Sequence, residues 1–292
     1  MKIEFEKSDF FSNSDQMFDI IRCVCNGMMS PKAYRKIFQI CQALDSGGVL
    51  ELGTAGGASI ISAALGLKAN GRNLNAISVD KFSGGSWGDV SDSGVNYCTV
   101  LNRLSIFGVQ DNVTLVKSSL DANKNYVSKL DSVSFLVIDA DGKIHRDLFN
   151  LMNCCIDETL VLIDDYDELV RVNLKKDGNW KLCWKKIITW ALVNKLIDRG
   201  VIVREDLING SFFGYFYPKK MNVEIYNELC VTYNEIETRI LTLDEIRINF
   251  NGNCAPNNGH NYIIEKKFEE FFSVILNNKV NINFVGSPVV RW

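Results

Sequence analysis

Acidic residues recur at one position of the sequence pattern: each closes, or lies near the end of, an apolar run with the length of a buried strand. Glu51 lies in the first run, Asp80 ends the second, Asp139 ends a later one, and Asp164-Asp165 end the next. Because parallel strands bring their carboxyl ends to one edge of a sheet, we expect these acids at a single edge. Carboxylates that close repel each other, so something positive should lie among them.

Three of these acids have the chemistry of a cation site. Asp139, Asp164 and Asp165 together offer only oxygen ligands, which Mg²⁺ prefers in combination with water. The alternative is structural: Asp165 caps the loop that follows it and Asp164 accepts hydrogen bonds from the backbone. If the side chains of Asp139 and Asp164 converge, the metal-site hypothesis survives, whereas side chains that point apart or pair with lysine would contradict it.

A glycine-rich turn precedes these acids in the chain. The run Val49–Leu52 ends in Gly53-Thr54-Ala55-Gly56-Gly57, and the following residues to Leu67 have a helical pattern. Glycine permits positive φ and close approach of a ligand, and a helix N-terminus offers free N–H groups. Glu51 in an apolar strand needs a partner, such as a ligand hydroxyl or ammonium. A nicotinamide-binding turn and a purely structural turn are the alternatives. The GxGxxG spacing typical of dinucleotide-binding turns is not matched.

Alternating strand and helix patterns predict a doubly wound α/β fold with a mostly parallel, seven-stranded sheet. An Asn209-Gly210 turn between two apolar runs predicts a closing hairpin, and so antiparallel strands at one edge. Ser30-Pro31 predicts a helix start, and the N-terminal helices either pack over the sheet and crevice or are simply core helices. We predict an N-terminal helical segment at 1–45, a ligand-binding domain at 46–217 and an extension at 218–292.

The amino-acid composition argues against several classes of function. The 292 residues carry a net charge of -3, which gives no basic surface for nucleic acid. Only two histidines and no paired cysteine motif argue against zinc. The nine cysteines lack any repeated spacing, and no signal peptide or membrane-spanning run is evident, so we predict reduced thiols and a cytoplasmic protein. A homo-oligomer is compatible with the sequence.

The motifs ELGTAGGAS, VIDAD and VLIDDY resemble those of class I S-adenosylmethionine-dependent methyltransferases. The DAD and DDY pair is similar to the metal-dependent small-molecule O-methyltransferases, which include the catechol, caffeoyl-CoA and macrocin enzymes. The loop VDKFSGGSWGDV resembles that of bacterial relatives found with sugar-modifying enzymes. The resemblance covers residues 46–217. Ala55 stands where many relatives have glycine, and Asp165 where catechol-type enzymes have asparagine.

The resemblance implies a role for each matching position. S-adenosylmethionine would lie along the turn, with its ribose on Asp80 and its adenine near Phe82, and Mg²⁺ would bind the three clustered acids. The implied cofactor-binding residues are Glu51, Gly53, Thr54, Gly57, Asp80, Phe82, Ser118, Ser119 and Asp139, and the implied metal ligands are Asp139, Asp164 and Asp165. Where the catechol-type enzymes have a base lysine this chain has Gly142, so Lys143 and His145 become the candidate bases beside Asp139.

For two of these positions or their neighbours, a purely structural role is the alternative. His145 is also consistent with a surface residue at a helix start, and the Lys185-Lys186 pair with solvated charges. The function predicted is methyl transfer from S-adenosylmethionine to a hydroxyl of a small molecule, a sugar or glycoside, with Mg²⁺. The alternatives are a metal-independent O- or N-methyltransferase, a non-catalytic cofactor-binding partner protein and a nicotinamide oxidoreductase.

Overall fold

The computed structural model describes residues 16–82, 97–118, 130, 132–166, 171–174, 180–182, 184–244, 260–263 and 289–290. The helices are α1 Gln16–Cys25, α2 Pro31–Ala43, α3 Ala58–Asn70, α4 Tyr97–Ile106, α5 Ile144–Leu151, α6 Trp184–Asp198 and α7 Val223–Asp244. The strands are β1 Gly48–Leu52, β2 Ala76–Asp80, β3 Val113–Lys117, β4 Val133–Ile138, β5 Cys155–Ile163, β6 Arg171–Leu174, β7 Trp180–Leu182, β8 Ile202–Ile208, β9 Ser211–Phe216, β10 His260–Ile263 and β11 Val289–Val290.

The main sheet has seven strands in the order β3-β2-β1-β4-β5-β9-β8. Strands β1 to β5 pair in parallel, and β9 runs antiparallel to both β5 and β8. The predicted α/β fold with an antiparallel edge is therefore confirmed. The chain order reverses between β1 and β4, and in such sheets the crevice at the carboxyl ends of the strands on either side of the reversal is where ligands bind.

Helices cover both faces of the main sheet. Side chains of α1, α2, α3 and α4 form one apolar layer with residues such as Val49 and Phe135. Side chains of α5, α6 and α7 form the other layer, with residues such as Leu50 and Leu136. Every residue of β1 and β4 is buried, as expected of central parallel strands with apolar layers on both sides.

The helix start predicted at Ser30-Pro31 is present. The backbone N–H of Ala33 donates to the Ser30 hydroxyl over 3.3 Å, and Pro31 occupies the first helical position. Helix α2 packs closely on α3, because an added Cβ at Gly66 would lie 2.7 Å from the Cβ of Cys41. The N-terminal helices are thus part of the core over one face of the sheet.

The segment after β5 differs from the expectation. The charged residues after Tyr166 predict a loop and the apolar pattern from Trp180 predicts a helix, whereas the backbone forms β6 and β7 and the helix α6 begins at Trp184. Strands β6 and β7 belong to a second sheet in the order β11-β10-β6-β7, so the C-terminal part of the chain supplies two strands to it. Long-range strand pairing of this kind leaves no local signal in the sequence.

The C-terminal region also contributes to the main core. Buried side chains of α7, among them Leu229 and Tyr233, join the apolar layer of α5 and α6. The three predicted domain boundaries remain a prediction. Among the described helices, none combines the length and the apolar character that crossing a bilayer requires.

Candidate active site

The turn after β1 runs against the start of the loop after β4. Gly53 has a φ of +94° and donates its N–H to the carbonyl of Val79 over 2.9 Å. A Cβ at Gly53 would collide with the carbonyl oxygen of Asp139. Gly57, with a φ of +88°, is the N-cap residue of α3. The two glycines are therefore required by close approach and by backbone conformation, and they set the turn beside Asp139.

Asp80 holds this turn in place. Its Oδ2 accepts the backbone N–H groups of Thr54 over 2.8 Å and Ala55 over 3.2 Å. Its Oδ1 accepts the N–H of Phe82 over 2.8 Å. A carboxylate with three backbone donors is a strong local constraint, because charge-assisted hydrogen bonds are stronger than neutral ones. The carboxylate predicted to bind a ribose thus has a structural task as well, and the ribose contact remains a prediction.

Glu51 has its partners inside the chain. The hydroxyl groups of Ser59 and Ser78 donate to its two oxygens, and the Thr54 hydroxyl lies 2.6 Å from that of Ser78. Burial raises the pKa of Glu51 to about 8, although the two serine hydrogen bonds oppose the shift. The partner that Glu51 was predicted to need is therefore supplied by two serine hydroxyls of the chain itself. Its direct contact with the cofactor remains a prediction.

The remaining residues predicted around an adenine lie at the ends of β2 and β3. Phe82, with a φ of +49°, packs edge-on against Tyr97 with ring centroids 5.2 Å apart. Ser118 follows β3 and donates its N–H to the carbonyl of Asp80 over 3.0 Å. Ser119 lies outside the described residues, and so does most of the loop between β2 and α4. Their contacts with a cofactor remain predictions.

The three acids after β4 and β5 do come together. One carboxylate oxygen from each of Asp139, Asp164 and Asp165 lies within 4.8 Å of the others. Asp164 accepts the Ser211 hydroxyl of β9 over 2.8 Å. Burial, and then the charges of Asp139 and Asp165, raise the pKa of Asp164 to about 7. The three acids therefore converge as the strand pattern predicted, and their carboxyl groups lie close together at this edge of the sheet.

A lysine lies among these acids. Lys185 Nζ is 3.0 Å from Oδ1 of Asp139 and 2.8 Å from Oδ2 of Asp165, and Lys186 Nζ is 3.6 Å from Oδ1 of Asp165. Burial opposes the protonated form of Lys185, but the nearby carboxylates outweigh it and raise its pKa. The interpretation of Lys185-Lys186 as solvated charges was therefore wrong. No local pattern indicated this position beyond the need for positive charge among the acids. The pairing with lysine that was expected to contradict the metal site is thus present together with the convergence that was expected to support it.

The candidate bases are placed differently from one another. His145 is buried between α5 and α7, with its ring centroid 5.1 Å from that of Tyr233 and 5.9 Å from that of Tyr226. Burial, then the charges of Arg146 and Lys143, lower its pKa to about 4. The surface position considered for His145 is thus wrong, and at neutral pH it is a weak, enclosed base. Lys143 is the half-buried N-cap of α5, and its N–H donates to Asp141 over 3.2 Å.

The N-terminal helices also reach the site. Arg103 of α4 donates from Nη1 to the carbonyl of Gly56 over 2.9 Å and to that of Cys25 over 3.4 Å, which joins the glycine turn to the end of α1. Tyr34 of α2 is buried, and its hydroxyl accepts the N–H of Met29 over 3.2 Å. Burial raises the pKa of Tyr34, and the charges of Asp164 and Asp139 add to the shift. Sequence reasoning missed both contacts.

Backbone strain is concentrated at the same edge of the sheet. Ala55, Phe82 and Asp165 all have positive φ, of +43°, +49° and +61°, and they follow β1, β2 and β5. Side chains other than glycine rarely adopt this conformation, and it tends to cluster at functional sites. The strained residues thus mark the carboxyl ends of the parallel strands as the candidate site.

Comparison with known proteins agrees with this location. Residues 50–166 match a family model described as a methyltransferase domain, which is less than half of the chain but spans β1 to the acids after β5. No curated protein matches the sequence. Residues 50–166 thus resemble a methyltransferase domain, and the strand order of the main sheet is compatible with that resemblance.

Several solved structures are similar to part of this chain at low identity. They include a methyltransferase from Podospora anserina bound to S-adenosylhomocysteine (12% identical, TM-score 0.49, covering 74% of this chain and 98% of that one). Others are an O-methyltransferase from Bacillus cereus (14%, TM-score 0.46, covering 70% and 91%) and the O-methyltransferase TomG from Streptomyces achromogenes (15%, TM-score 0.45, covering 71% and 94%). Because each TM-score is below 0.5, these structures do not define what this chain does.

Proposed function

We propose that this protein transfers the methyl group of S-adenosylmethionine to a hydroxyl oxygen of a small molecule. The observation that carries the proposal is the convergence of Asp139, Asp164 and Asp165 beside the glycine turn. Gly53 lies against the backbone of Asp139, so a cofactor on the turn and an acceptor on the acids would be neighbours.

The cofactor is proposed to lie along the turn and β2. The N-terminus of α3 follows Gly57 directly and offers N–H groups to the carboxylate of the methionine part. Asp80 Oδ1 accepts one backbone N–H, and a carboxylate oxygen has capacity for a further donor such as a ribose hydroxyl. Thr54 is held by Asp80 and Ser78, so contacts within the chain help to set the shape of the turn.

Methyl transfer requires little covalent chemistry from the protein. The sulfonium carries its own leaving group, so the main task is to hold acceptor oxygen, methyl carbon and sulfur in line. The acceptor oxygen must also lose its proton. With a pKa near 4, His145 is a poor candidate to take it, whereas a carboxylate of the cluster lies where the acceptor would be.

The acidic cluster fits Mg²⁺ in its oxygen ligands and their spacing. When bound, Mg²⁺ would act as a Lewis acid that lowers the pKa of the acceptor hydroxyl. Asp139, Asp164 and Asp165 would hold the ion, and Ser211 would orient Asp164.

A metal-independent reaction is the second candidate, and the ion pairs of Lys185 favour it. An ammonium 3.0 Å from Asp139 and 2.8 Å from Asp165 already supplies positive charge where the ion would bind. Transfer to an oxygen or a nitrogen is compatible with this arrangement.

A sugar or glycoside acceptor is proposed from the resemblance of the loop VDKFSGGSWGDV, which lies mostly outside the described residues. A panel of sugar and glycoside acceptors with labelled S-adenosylmethionine would test this part of the proposal.

The cofactor site can be tested by calorimetric titration with S-adenosylhomocysteine, with and without Mg²⁺. We expect the wild-type protein to bind it, and Asp80→Ala to weaken binding at least about tenfold because two N–H groups of the turn lose their acceptor. Asp45→Ala is the matched control, since Asp45 is exposed and its ion pair among the described residues is with Arg72, outside the glycine turn. Absence of binding by the wild type under both conditions would remove the proposed function.

A further inference from the structure

Lys185 bridges two acids that come from different strands. Its ammonium lies between Asp139, at the end of β4, and Asp165, after the end of β5. The side chain is 28% exposed, so its charged end has a route to solvent. A long lysine side chain that is partly exposed can leave such a position by rotating about its own bonds.

A divalent cation would need the same oxygens. Mg²⁺ lies about 2.0–2.1 Å from each ligand oxygen, so an ion on Asp139 and Asp165 would lie within a few ångströms of the lysine Nζ. Two positive charges at that separation repel strongly in a partly buried site. The two cations therefore exclude each other.

From this geometry we infer that Lys185 is a built-in cation that competes with a divalent metal ion for the acidic cluster. The inference concerns the cluster used in the proposed function and deepens that proposal. It predicts two exclusive arrangements: one with the ammonium between Asp139 and Asp165, and one with a metal ion there and Lys185 directed to solvent.

The neighbouring lysine provides a matched comparison. Lys186 carries the same charge one residue further along α6, but its Nζ lies 3.6 Å from Oδ1 of Asp165, further than Lys185 Nζ lies from either of its two acids. Asp164 accepts a hydrogen bond from Ser211 and holds its place without either lysine. Removing Lys185 should thus free one oxygen on each of Asp139 and Asp165. Removing Lys186 ends the longer contact with Oδ1 of Asp165 and leaves Lys185 paired with both acids.

The test is a titration with Mn²⁺, followed by the electron paramagnetic resonance signal of the free ion, which does not depend on catalysis. We expect Lys185→Met to bind Mn²⁺ at least about tenfold more tightly than the wild type, because the competing charge is gone. Lys186→Met and the charge-preserving Lys185→Arg should stay within about threefold of the wild type.

The inference is overturned if Lys185→Met binds Mn²⁺ no more tightly than the wild type, or if no variant binds it. Lys185→Gln repeats the test with a polar side chain should the methionine variant fold poorly, as judged by its thermal melt. Titration of the same samples with S-adenosylhomocysteine separates the two proposals: loss of cofactor binding with unchanged Mn²⁺ competition contradicts the proposed function alone.

Discussion

The acids at the carboxyl edge of the sheet have two different kinds of partner. On the β1–β2 side, Asp80 accepts backbone N–H groups and Glu51 accepts serine hydroxyls. On the β4–β5 side, Asp139 and Asp165 instead pair with the ammonium of Lys185. One region relies on groups fixed by the backbone or by buried side chains, and the other relies on a long side chain with access to solvent.

Because their partners differ, the two regions are suited to different tasks. Backbone donors cannot leave without unfolding the turn, so the β1–β2 region is suited to a cradle of constant shape. An ammonium at the end of four methylene groups can be exchanged for another cation, so the β4–β5 region is suited to a site whose charge changes with its occupant. The cofactor is proposed for the first region and the acceptor for the second.

The most damaging test of the rigid turn is Gly53→Ala. The added methyl group would meet the carbonyl of Asp139, and alanine at a φ of +94° is strained. We expect a loss of about 3–5 kcal/mol in the free energy of unfolding, measured by urea denaturation. Binding of S-adenosylhomocysteine should be lost as well.

Gly71→Ala serves as the control for that change. Gly71 also has a positive φ, of +76°, but an added Cβ there would find no atom within 4 Å. We expect it to cost only the backbone strain, about 1–2 kcal/mol. Equal losses for the two variants would show that the turn can move away from Asp139, and the contrast between the regions would fail.

A second test concerns the buried carboxyl of the turn. Glu51 has a pKa raised from 4.5 to about 8 in the folded protein, chiefly by burial. The folded state thus binds the proton more tightly than the unfolded state, so the contribution of Glu51 to stability falls as the pH rises from about 4.5 to about 8. Glu51→Gln keeps hydrogen-bonding groups for both serines but does not titrate.

Between pH 5 and pH 8 we expect the wild type to lose about 2–4 kcal/mol of stability relative to Glu51→Gln. Urea denaturation at a series of pH values measures the difference, and all other titrating groups are common to both proteins. If the two curves run parallel, Glu51 is ionised throughout, and its serine partners hold a charge rather than a neutral acid.

The smallest expected effect is at Ala55, a position where many of the methyltransferases that the sequence resembles have glycine. Its φ of +43° lies in the left-handed region, which favours glycine. Ala55→Gly should therefore stabilise the protein by about 0.5–1 kcal/mol, seen as a raised thermal midpoint. Ala43→Gly, at the exposed end of α2, should lower stability by a similar amount, and destabilisation by both changes would place Ala55 in ordinary backbone geometry.

Much of the fold followed from local patterns. The Asn209-Gly210 turn predicted the β8–β9 hairpin, and both residues do have positive φ, of +51° and +90°. Strands β3 and β4 begin and end where their apolar runs do. Strand β6 pairs with β10, which lies about ninety residues away in the sequence, and β7 pairs with β6, so the formation of both strands depends on a contact that no local pattern indicates.

Of the candidate site, the sequence determined the position of the acids. Each follows a buried strand, and parallel strands must present their ends at one edge, so the convergence of Asp139, Asp164 and Asp165 was predictable. The glycine turn was equally readable, because Gly53 and Gly57 are needed for local backbone geometry.

Only the tertiary structure decided what those acids contact. Ser59 and Ser78 reach Glu51 from α3 and β2, Lys185 reaches Asp139 from α6, and His145 is enclosed by α7 rather than exposed. These partners are set by how the helices dock on the sheet, and docking depends on packing over whole surfaces. The local sequence thus determines where the acidic side chains lie, and long-range packing determines which groups contact them.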